Sequence, residues 1–209
     1  MNNPQKNSAR ENLRVTYDKY AQERDGGPTQ DWKVRERAAF LDLLQQENKR
    51  TVLEIGAGTG RDSLFLQGQG FVITCIDLSP AMVELCRKKG LNAYVMDMTD
   101  IRLAEAPFDA VFAMNSLLHL PKVEFLPVLR QVERALKPGG LFFLGVYGGF
   151  DFEGVWEKDF YEPKRFFSFF TDERIQQEVA RVFDIVSFMA VPSGDSDDLH
   201  FQSLILRKR

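Results

Sequence analysis

Three glycines at alternate positions, Gly56, Gly58 and Gly60, follow a short apolar stretch that carries a lone acid, Glu54. Glycine has no Cβ atom, so this spacing allows positive φ angles and a close approach of backbone N–H groups to a ligand. The apolar residues that follow indicate a helix, whose first N–H groups favour an anion such as a carboxylate or phosphate. Residues 51–66 therefore predict a strand, a glycine turn and a helix, the first unit of a doubly wound sheet.

The spacing of this turn distinguishes between ligands. A dinucleotide fingerprint requires a third glycine at position 61, whereas this chain has Arg61 there and the pattern E-x-G-x-G-x-G. Asp77 ends the second predicted strand, 17 residues after Gly60, and a carboxylate there can accept hydrogen bonds from both hydroxyls of a ribose. Such an acid is also compatible with a nicotinamide dinucleotide. Alternatively, Asp77 only ends the strand, since Ser79 and Pro80 are suited to begin a helix.

Further candidate residues follow the third and fourth predicted strands. Asp97 and Met98 come after the third strand, and Asn115 and His119 come after the fourth. Ligands of open α/β sheets bind beyond the carboxyl ends of the strands, so these side chains are expected near a ligand. His119 could accept a proton from a nucleophile, since the unperturbed pKa of histidine is about 6.5. It could equally brace the turn in which it lies.

Several stretches resemble the class I S-adenosylmethionine-dependent methyltransferases, in particular the small-molecule type with a methyltransferase domain 11 or 25. Residues 51–62, TVLEIGAGTGRD, resemble motif I of this family, residues 108–120 resemble motif IV, and L-K-P-G-G at 136–140 resembles the turn into the fifth strand. Tyr17, Asp18 and Ala21 resemble the opening Y-D-x-x-A-x-x-Y of small-molecule members. Arg24 stands where that opening has its second aromatic residue.

The resemblance implies S-adenosylmethionine as cofactor, S-adenosylhomocysteine as product, and transfer of a methyl group to a small-molecule acceptor by in-line displacement. It implies that Asp97 meets the adenine amino group and that the backbone of Met98 meets a ring nitrogen. His119 and Tyr20 are the candidate catalytic residues. The residues that the resemblance assigns to the cofactor are Tyr17, Glu54, Gly56, Ala57, Gly58, Gly60, Arg61, Asp77, Leu78, Asp97, Met98 and Asn115.

The order of elements predicts a single α/β domain over residues 1–209. Helices at 8–21 and 31–47 precede the first strand, and residues 1–48 are expected to cover the cofactor cleft. Strands are predicted at 71–76, 91–96, 108–113, 141–147, 183–191 and 199–206, with helices at 80–89, 123–136 and 171–181 between them. The resemblance implies a Rossmann-like, doubly wound, three-layer αβα fold with seven strands in the order 3-2-1-4-5-7-6 and an antiparallel seventh strand.

Residues 148–170 interrupt this regular order with a mixture of aromatic and charged residues that has no clear period. Their place after the fifth strand puts them at the ligand end of the sheet, which predicts a substrate lid. Trp156, Phe160 and Tyr161 are the candidate pocket walls, with Arg165 to orient a polar group. The acceptor is then expected to be aromatic or apolar. The alternative is a loop that packs its aromatic side chains into a satellite core.

Composition limits the other classes of function. With 209 residues, 44% apolar residues and a net charge of −3, the chain can bury a full core and has no basic field for a nucleic acid. Cys75 and Cys86 form no disulfide pattern, and no secretory leader or long apolar run is found, so a cytoplasmic protein without a membrane span is expected. No metal site is predicted, and the acidic turn at 193–198 is interpreted as a solvated loop. A monomer or a homodimer is compatible with the sequence.

Three other functions remain open at this point. A nicotinamide or flavin oxidoreductase is opposed by Arg61 and by the predicted closing hairpin. A methyltransferase fold that binds the cofactor without catalysis would be separated from an enzyme by an assay of product. A protein or RNA methyltransferase is opposed by the near-neutral charge and by the lack of an Asn-Pro-Pro-Tyr motif.

Overall fold

The computed structural model describes residues 4–103, 107–193 and 199–209, with side chains from residue 9 onward. The predicted acidic turn at 193–198 lies, from residue 194 onward, outside these residues. Within the described ranges, no helix combines the length and the apolar character needed to cross a membrane. The elements are α1 (Pro4–Lys19), α2 (Ala21–Gly26), α3 (Asp31–Gln46), β1 (Thr51–Ile55), α4 (Arg61–Gly68), β2 (Val72–Asp77), α5 (Pro80–Lys88), β3 (Asn92–Val95), β4 (Phe108–Met114), α6 (Lys122–Ala135), β5 (Leu136–Gly148), β6 (Phe152–Val155), β7 (Phe166–Phe169), α7 (Asp172–Ala180), β8 (Phe183–Pro192) and β9 (His200–Lys208).

The main sheet has seven strands in the order β3-β2-β1-β4-β5-β9-β8. The strands from β1 to β5 pair in parallel, and β9 runs antiparallel to both β5 and β8. This arrangement confirms the predicted order, because the last strand, β9, lies between β5 and β8. The reversal of strand order between β1 and β4 opens a crevice at the carboxyl ends of β1, β2 and β4, where ligands of such sheets bind.

Alternate residues of the central strands pack into two separate cores, one on each face of the sheet. Leu53 and Val111 belong to the core that includes residues of α6 and α7, while Val52 and Phe112 belong to the core that includes residues of α3, α4 and α5. Side chains alternate between the faces of a strand, so a strand that is covered on both sides must be apolar throughout. Glu54 of β1 is an exception, because it is a buried acid in a strand that is otherwise apolar along its buried part. Such an exception indicates a role in function.

The predicted first helix is divided at Tyr20. Helix α1 ends at Lys19 and α2 begins at Ala21, because Tyr20 leaves the helical conformation with φ −102° and ψ 13°. At this break the Tyr20 ring packs 4.6 Å from the ring of Tyr161. The spacing of apolar residues predicted a continuous helix from 8 to 21, but it contains no information on this contact with a residue far along the chain.

The segment at 148–170 is more regular than the sequence predicted. Strands β6 and β7 form an antiparallel pair in which Phe152 faces Phe169 and Val155 faces Phe166. The connection closes on itself, because the Trp156 N–H donates to the Arg165 carbonyl at 3.0 Å. Aromatic residues favour strands, but the pairing joins positions too far apart for a local pattern to reveal it.

The turn into the fifth strand also differs in its bounds. Helix α6 ends at Ala135 and β5 begins at Leu136, although the sequence predicted a helix to 136 and a strand from 141. Leu136 pairs with Phe108 of β4, and the register shifts before Ala110 pairs with Leu141. Pairing to the neighbouring strand therefore extends β5 through the Pro-Gly-Gly turn, which a local preference for turns did not predict.

Candidate active site

The glycine turn follows β1 and has a backbone conformation that requires glycine at position 56. Gly56 has a φ of +71°, and a Cβ atom at this position would lie 2.3 Å from the Cβ atom of Ser116 at the end of β4. The N–H groups of Gly56 and Ala57 both donate to the carbonyl of Ile76, at 2.8 and 3.1 Å. These contacts fix the turn against the ends of two neighbouring strands, so its shape depends on the absence of a side chain at Gly56.

Asp77 connects the turn to the end of β2. One oxygen of its carboxylate accepts from the Gly58 N–H at 2.8 Å and the other from the Ser79 N–H at 2.9 Å. The side chain is buried, and this burial raises its pKa above the ordinary aspartate value. Each carboxylate oxygen retains further acceptor capacity, so Asp77 can hold the turn and bind a hydroxyl group at the same time.

Glu54 is the buried acid of β1. It accepts a hydrogen bond from the Ser63 hydroxyl of α4, and burial, followed by the nearby charge of Asp62, raises its pKa well above the ordinary value. A carboxylate with so little solvent is stabilised by a cation or by hydrogen-bond donors from a ligand. Glu54 lines the same cavity as Asp77.

This cavity has a volume of about 510 Å³ and is bounded by the glycine turn, the ends of β2 and β4, and the segment from α1 to α3. Residues 1–48 were predicted to cover the cleft, and the described part of them supplies one wall. Phe160 and Tyr161 line the cavity from the connection between β6 and β7. The predicted site residues that line it are Tyr17, Glu54, Gly56, Ala57, Gly58, Arg61, Asp77, Leu78, Met98, Asn115, His119, Phe160 and Tyr161.

Two buried polar atoms at the end of β4 have no partner among the described residues. They are the Asn115 Oδ1 and the Ser116 Oγ atoms, and both residues line the cavity. Asn115 also adopts a left-handed conformation with φ +56°, which is uncommon outside glycine and is most readily adopted by asparagine and aspartate. Unpaired buried polar groups are costly, so this end of the cavity is suited to a polar ligand that supplies the missing hydrogen bonds.

Tyr17 and His119 form a hydrogen-bonded pair on the cavity wall. The Nδ1 atom of His119 lies 2.8 Å from the carbonyl of Phe166, and its Nε2 atom lies 2.8 Å from the Tyr17 hydroxyl. A carbonyl can only accept, so Nδ1 carries the proton and Nε2 accepts from Tyr17. Burial, together with the charges of Arg165 and Arg24, lowers the pKa of His119 to about 3. His119 is therefore a neutral hydrogen-bond acceptor.

Arg165 does not line the cavity, but it contacts the Tyr17 hydroxyl of this pair. Its guanidinium contacts both oxygens of Asp159, with Nε and Nη2 at 2.8 and 2.7 Å, and its Nη1 donates to the Tyr17 hydroxyl at 3.1 Å. The side chains of Arg165 and Asp159 are only 10% and 1% exposed. This buried ion pair therefore fixes the position of the Tyr17 hydroxyl.

Loss of Asp159 is expected to destabilise the protein strongly. Asp159→Ala leaves the Arg165 charge buried without its partner, which costs about 3–5 kcal/mol of unfolding free energy. Urea unfolding measures this loss. Glu157→Ala is the matched control, because Glu157 pairs with Lys164 in the same segment while being 83% exposed, and exposed pairs contribute little. Equal stability of the two variants would contradict the structural role of Asp159.

Four other predicted site residues also lie away from the cavity lining. Tyr20 packs on Tyr161, and Gly60 is the N-cap residue of α4. Asp97 accepts from the backbone and the hydroxyl of Thr99, both at 2.8 Å. Trp156 packs against Phe150, Phe152 and Phe169 in the aromatic cluster of the β6–β7 hairpin. This cluster packs against the core that includes residues of α6 and α7, so Trp156 is part of neither a pocket wall nor a separate satellite core.

Several residues at the site were not predicted, Ser116 and Asp62 of the cavity lining among them, and two of the others belong to the opening at 17–24. Asp18 accepts from the Ser79 hydroxyl at 2.6 Å and from the Ala81 N–H at 3.1 Å, so it joins α1 to the start of α5 beside Asp77. The second is Arg24, which lines the cavity. Both residues lie in the opening motif at 17–24, so this motif could have indicated them as site residues. Among the described residues, no three His, Cys, Asp or Glu side chains form a group that could hold a metal ion.

Comparison with known proteins agrees with this geometry. Residues 52–140 match the family model of a methyltransferase domain. The chain is 29% identical to human glycine N-methyltransferase over 137 residues, which cover 55% of this chain and 46% of that protein. It is 36% identical to the ubiquinone biosynthesis O-methyltransferase of Xylella fastidiosa strain 9a5c over 100 residues, which cover 44% of this chain and 40% of that protein. The matches thus span less than half of either relative.

Solved structures extend the similarity to the whole fold. The 1,6-didemethyltoxoflavin-N1-methyltransferase of Burkholderia thailandensis, solved with 1,6-didemethyltoxoflavin and S-adenosylhomocysteine, has a TM-score of 0.76 at 22% identity over 100% of this chain and 91% of that one. The [4+2]-cyclase SpnF has a TM-score of 0.74 at 18% identity over 96% of both chains. Residues 52–140 therefore match a methyltransferase domain, and the sheet that contains them shares its fold with these solved structures.

Proposed function

We propose that this chain is an S-adenosylmethionine-dependent methyltransferase that acts on a small molecule. The observation that carries the proposal is that one cavity joins the glycine turn and Asp77 to the Tyr17–His119 pair. The first group of residues is suited to a nucleoside with a charged tail, and the second is suited to a nucleophile that carries a proton. The N- and O-methyltransferases among its relatives support the reaction class.

Several groups of the cavity wall support the binding of this cofactor. Asp77 offers carboxylate oxygens to the ribose hydroxyls, and the turn at 56–58 offers a backbone surface without side chains. The unpaired Asn115 Oδ1 atom and the buried Glu54 carboxylate are acceptors for the ammonium group of the methionine part. Leu78 and Met98 line the cavity and are proposed to contact the adenine. Asp97 does not line it, because its carboxylate oxygens contact Thr99 and Arg10, so we do not retain it as the adenine contact.

When bound, S-adenosylmethionine supplies an electrophilic methyl group, so the protein must mainly position two reactants and exclude water. The Tyr17 hydroxyl donates to His119 and accepts from Arg165, and it retains a lone pair for an N–H or O–H of the acceptor. A proton that leaves the acceptor can then move to Tyr17 as the Tyr17 proton moves to the His119 Nε2 atom. Burial and the nearby arginines disfavour the His119 imidazolium, so His119 holds this proton only transiently and releases it to solvent. We therefore assign this role to Tyr17 and His119 and not to Tyr20.

Phe160 and Tyr161 are proposed to contact the acceptor, since both line the cavity and their rings lie 4.2 Å apart. Trp156 is not retained as a contact residue because it lies in the hairpin core. A reducing compartment such as the cytoplasm is proposed because Cys75 and Cys86 are free thiols.

Calorimetric titration with S-adenosylmethionine and S-adenosylhomocysteine tests this function. We expect micromolar binding by the wild type and binding at least about tenfold weaker in Asp77→Ala, since hydrogen bonds to a charged group contribute about 1.5–3 kcal/mol. Asp100→Ala is the matched control, because Asp100 is exposed, pairs with Arg102 and does not line the cavity. A folded wild type that binds NADH but not these two ligands would overturn the proposal.

Methyl transfer requires a second measurement, because a cyclase also has this fold. Incubation with radiolabelled S-adenosylmethionine and a panel of small phenols, amines and carboxylic acids is expected to give a labelled product. Binding of the cofactor without transfer to any member of the panel would favour a binding module instead of an enzyme.

A further inference from the structure

Arg24 of α2 is a cation of the cavity wall whose position is fixed by aromatic rings. Its Nη1 atom donates to the Tyr161 hydroxyl at 3.0 Å. The centre of its guanidinium lies 5.1 Å from the Tyr17 ring and 5.8 Å from the Tyr161 ring. Such contacts hold a guanidinium by cation–π attraction without neutralising its charge.

The charge of Arg24 is not neutralised by an ion pair within the part of the chain that the structure describes. Three other cations near the site are in ion pairs: Arg165 with Asp159, Arg37 with Asp62, and Lys89 with Asp25. Arg61, which also lines the cavity, instead donates one guanidinium nitrogen to the carbonyls of Arg24 and Asp25. The Nε and Nη2 atoms of Arg24 make no hydrogen bond to another described residue. A half-buried guanidinium with free N–H groups on the wall of a cavity is suited to bind a carboxylate, because its planar fork matches the two carboxylate oxygens.

The position of Arg24 connects it to the acceptor side of the cavity. Its two aromatic neighbours also contact Arg165, whose guanidinium lies 4.5 Å from the Tyr161 ring and 5.6 Å from the Tyr17 ring. Tyr17 is hydrogen-bonded to His119, so Arg24 stands beside the pair that would receive the acceptor. The charge of Arg24, which has no ion pair within the described part of the chain, also disfavours an acceptor that carries a positive charge.

We propose that Arg24 makes this site selective for acceptors that carry a carboxylate. This inference rests on the proposed function, since it names the acceptor class of the same cavity. A carboxylate bound by Arg24 would lie against the Tyr17 and Tyr161 rings, with the nucleophilic group of the acceptor toward Tyr17. Neutral or cationic analogues of the same shape would lack the charge-assisted hydrogen bonds and would bind less tightly.

Calorimetry on the complex with S-adenosylhomocysteine tests the inference. The probes are 4-hydroxybenzoate, its amide 4-hydroxybenzamide, the amine 4-hydroxybenzylamine, and glycine as a carboxylate without a ring. We expect at least one of the two carboxylates to bind the wild-type complex, and 4-hydroxybenzoate to bind at least about tenfold more tightly than the amide or the amine if the acceptor is aromatic. Binding of glycine alone would assign the carboxylate to an amino acid.

Arg24→Gln is expected to reduce carboxylate binding at least about tenfold and to leave the affinity for S-adenosylhomocysteine within about threefold. Arg24→Lys is expected to restore part of the carboxylate binding, because the charge remains while the fork is lost. Lys19→Gln is the matched control, since Lys19 lies over the Tyr20 ring and does not line the cavity. A thermal melt checks that each variant is folded.

Two results would overturn the inference while leaving the proposed function intact. The first is a wild-type complex that binds neither carboxylate, or that binds the amide or the amine as tightly as the carboxylate. The second is an Arg24→Gln variant that loses S-adenosylhomocysteine binding and retains the carboxylate preference, which would assign Arg24 to the carboxylate of the cofactor. Failure of the wild type to bind S-adenosylhomocysteine would instead refute the proposed function itself.

Discussion

Gly56→Ala is expected to weaken the binding of S-adenosylhomocysteine by at least about 100-fold, which corresponds to about 2.7 kcal/mol. The φ of +71° at Gly56 is strained for any residue with a Cβ atom, at a cost of about 1–2 kcal/mol. The new Cβ atom would also lie 2.3 Å from the Ser116 Cβ atom, so the turn must move away from β4. That movement displaces the hydrogen bonds of Gly56 and Ala57 to Ile76 and the contact with Asp77. Calorimetric titration measures the loss.

Gly90→Ala separates this effect from backbone strain alone. Gly90 has a similar φ of +79°, but a Cβ atom there would meet nothing within 4 Å, and the residue does not line the cavity. Its variant is expected to lose some stability and to bind the ligand with unchanged affinity. If Gly56→Ala bound within threefold of the wild type, the close contact between the turn and β4 would not shape the cofactor site.

Tyr17→Phe and His119→Gln are each expected to lower kcat by about 100-fold or more with an acceptor that must lose a proton, since proton transfer by a positioned side chain contributes about 10²–10⁴-fold. The physical reason is the single hydrogen bond of 2.8 Å that joins the two side chains. Because they act through this bond, the double variant is expected to lose little more than either single variant.

Tyr20→Phe is the control for this pair, because Tyr20 lies three residues from Tyr17 and packs on Tyr161 outside the cavity lining. Its kcat is expected to stay close to that of the wild type. Additive losses in the Tyr17 and His119 variants, or a large loss in Tyr20→Phe, would refute the assignment of the proton-accepting role to the pair.

The low pKa of His119 has a consequence for stability that pH can reveal. In the unfolded chain histidine has a pKa of about 6.5, whereas in the folded protein burial and nearby arginines lower the pKa of His119 to about 3. As the pH falls from 6.5 toward 3, the unfolded chain binds a proton that the folded protein does not, so the folded state loses stability. Between pH 7 and pH 5 this loss is about 2 kcal/mol at 1.36 kcal/mol per pKa unit.

Urea unfolding of the wild type and of His119→Gln at pH 7 and pH 5 measures this contribution. The difference between the two pH values is expected to be about 2 kcal/mol smaller in the variant. The dependence of the wild-type kcat on pH is expected to show no step near pH 6–7 that can be attributed to His119. A step that is present in the wild type and absent from His119→Gln would be such a step. It would mean that His119 titrates as an exposed histidine does.

The sequence predicted the central part of the fold because its signals there are local. A glycine turn after a short strand, an acid at the end of β2 and a Pro-Gly-Gly turn before β5 each determine one connection, and parallel strands joined by helices then order themselves with right-handed crossovers. The same residues brought Asp77, His119 and Asn115 to one edge of the sheet, where the structure finds them on one cavity wall.

The parts that were not predicted depend on contacts between distant residues. Helical spacing presented Tyr17 and Tyr20 as equivalent, and only the break at Tyr20 and the packing of its ring on Tyr161 separate them. Aromatic composition likewise could not distinguish Trp156 in the hairpin core from Phe160 at the cavity. In the sequence, Arg24 only replaces the second aromatic residue of a motif. Its role in the cavity could be inferred only from its contacts with Tyr17 and Tyr161 in the structure.

The short connection between β6 and β7 has a consequence for how this protein could change during evolution. Arg165, the last residue of this connection, binds the Tyr17 hydroxyl, and the carbonyl of Phe166, the first residue of β7, selects the tautomer of His119. The same connection presents Phe160 and Tyr161 to the cavity. An insertion or deletion that reshapes the pocket for a new acceptor would therefore displace the proton-accepting pair as well. Point substitutions at Phe160, which is 78% exposed, keep the length of this connection and the hydrogen bonds of the pair, and are the accessible route to new acceptors.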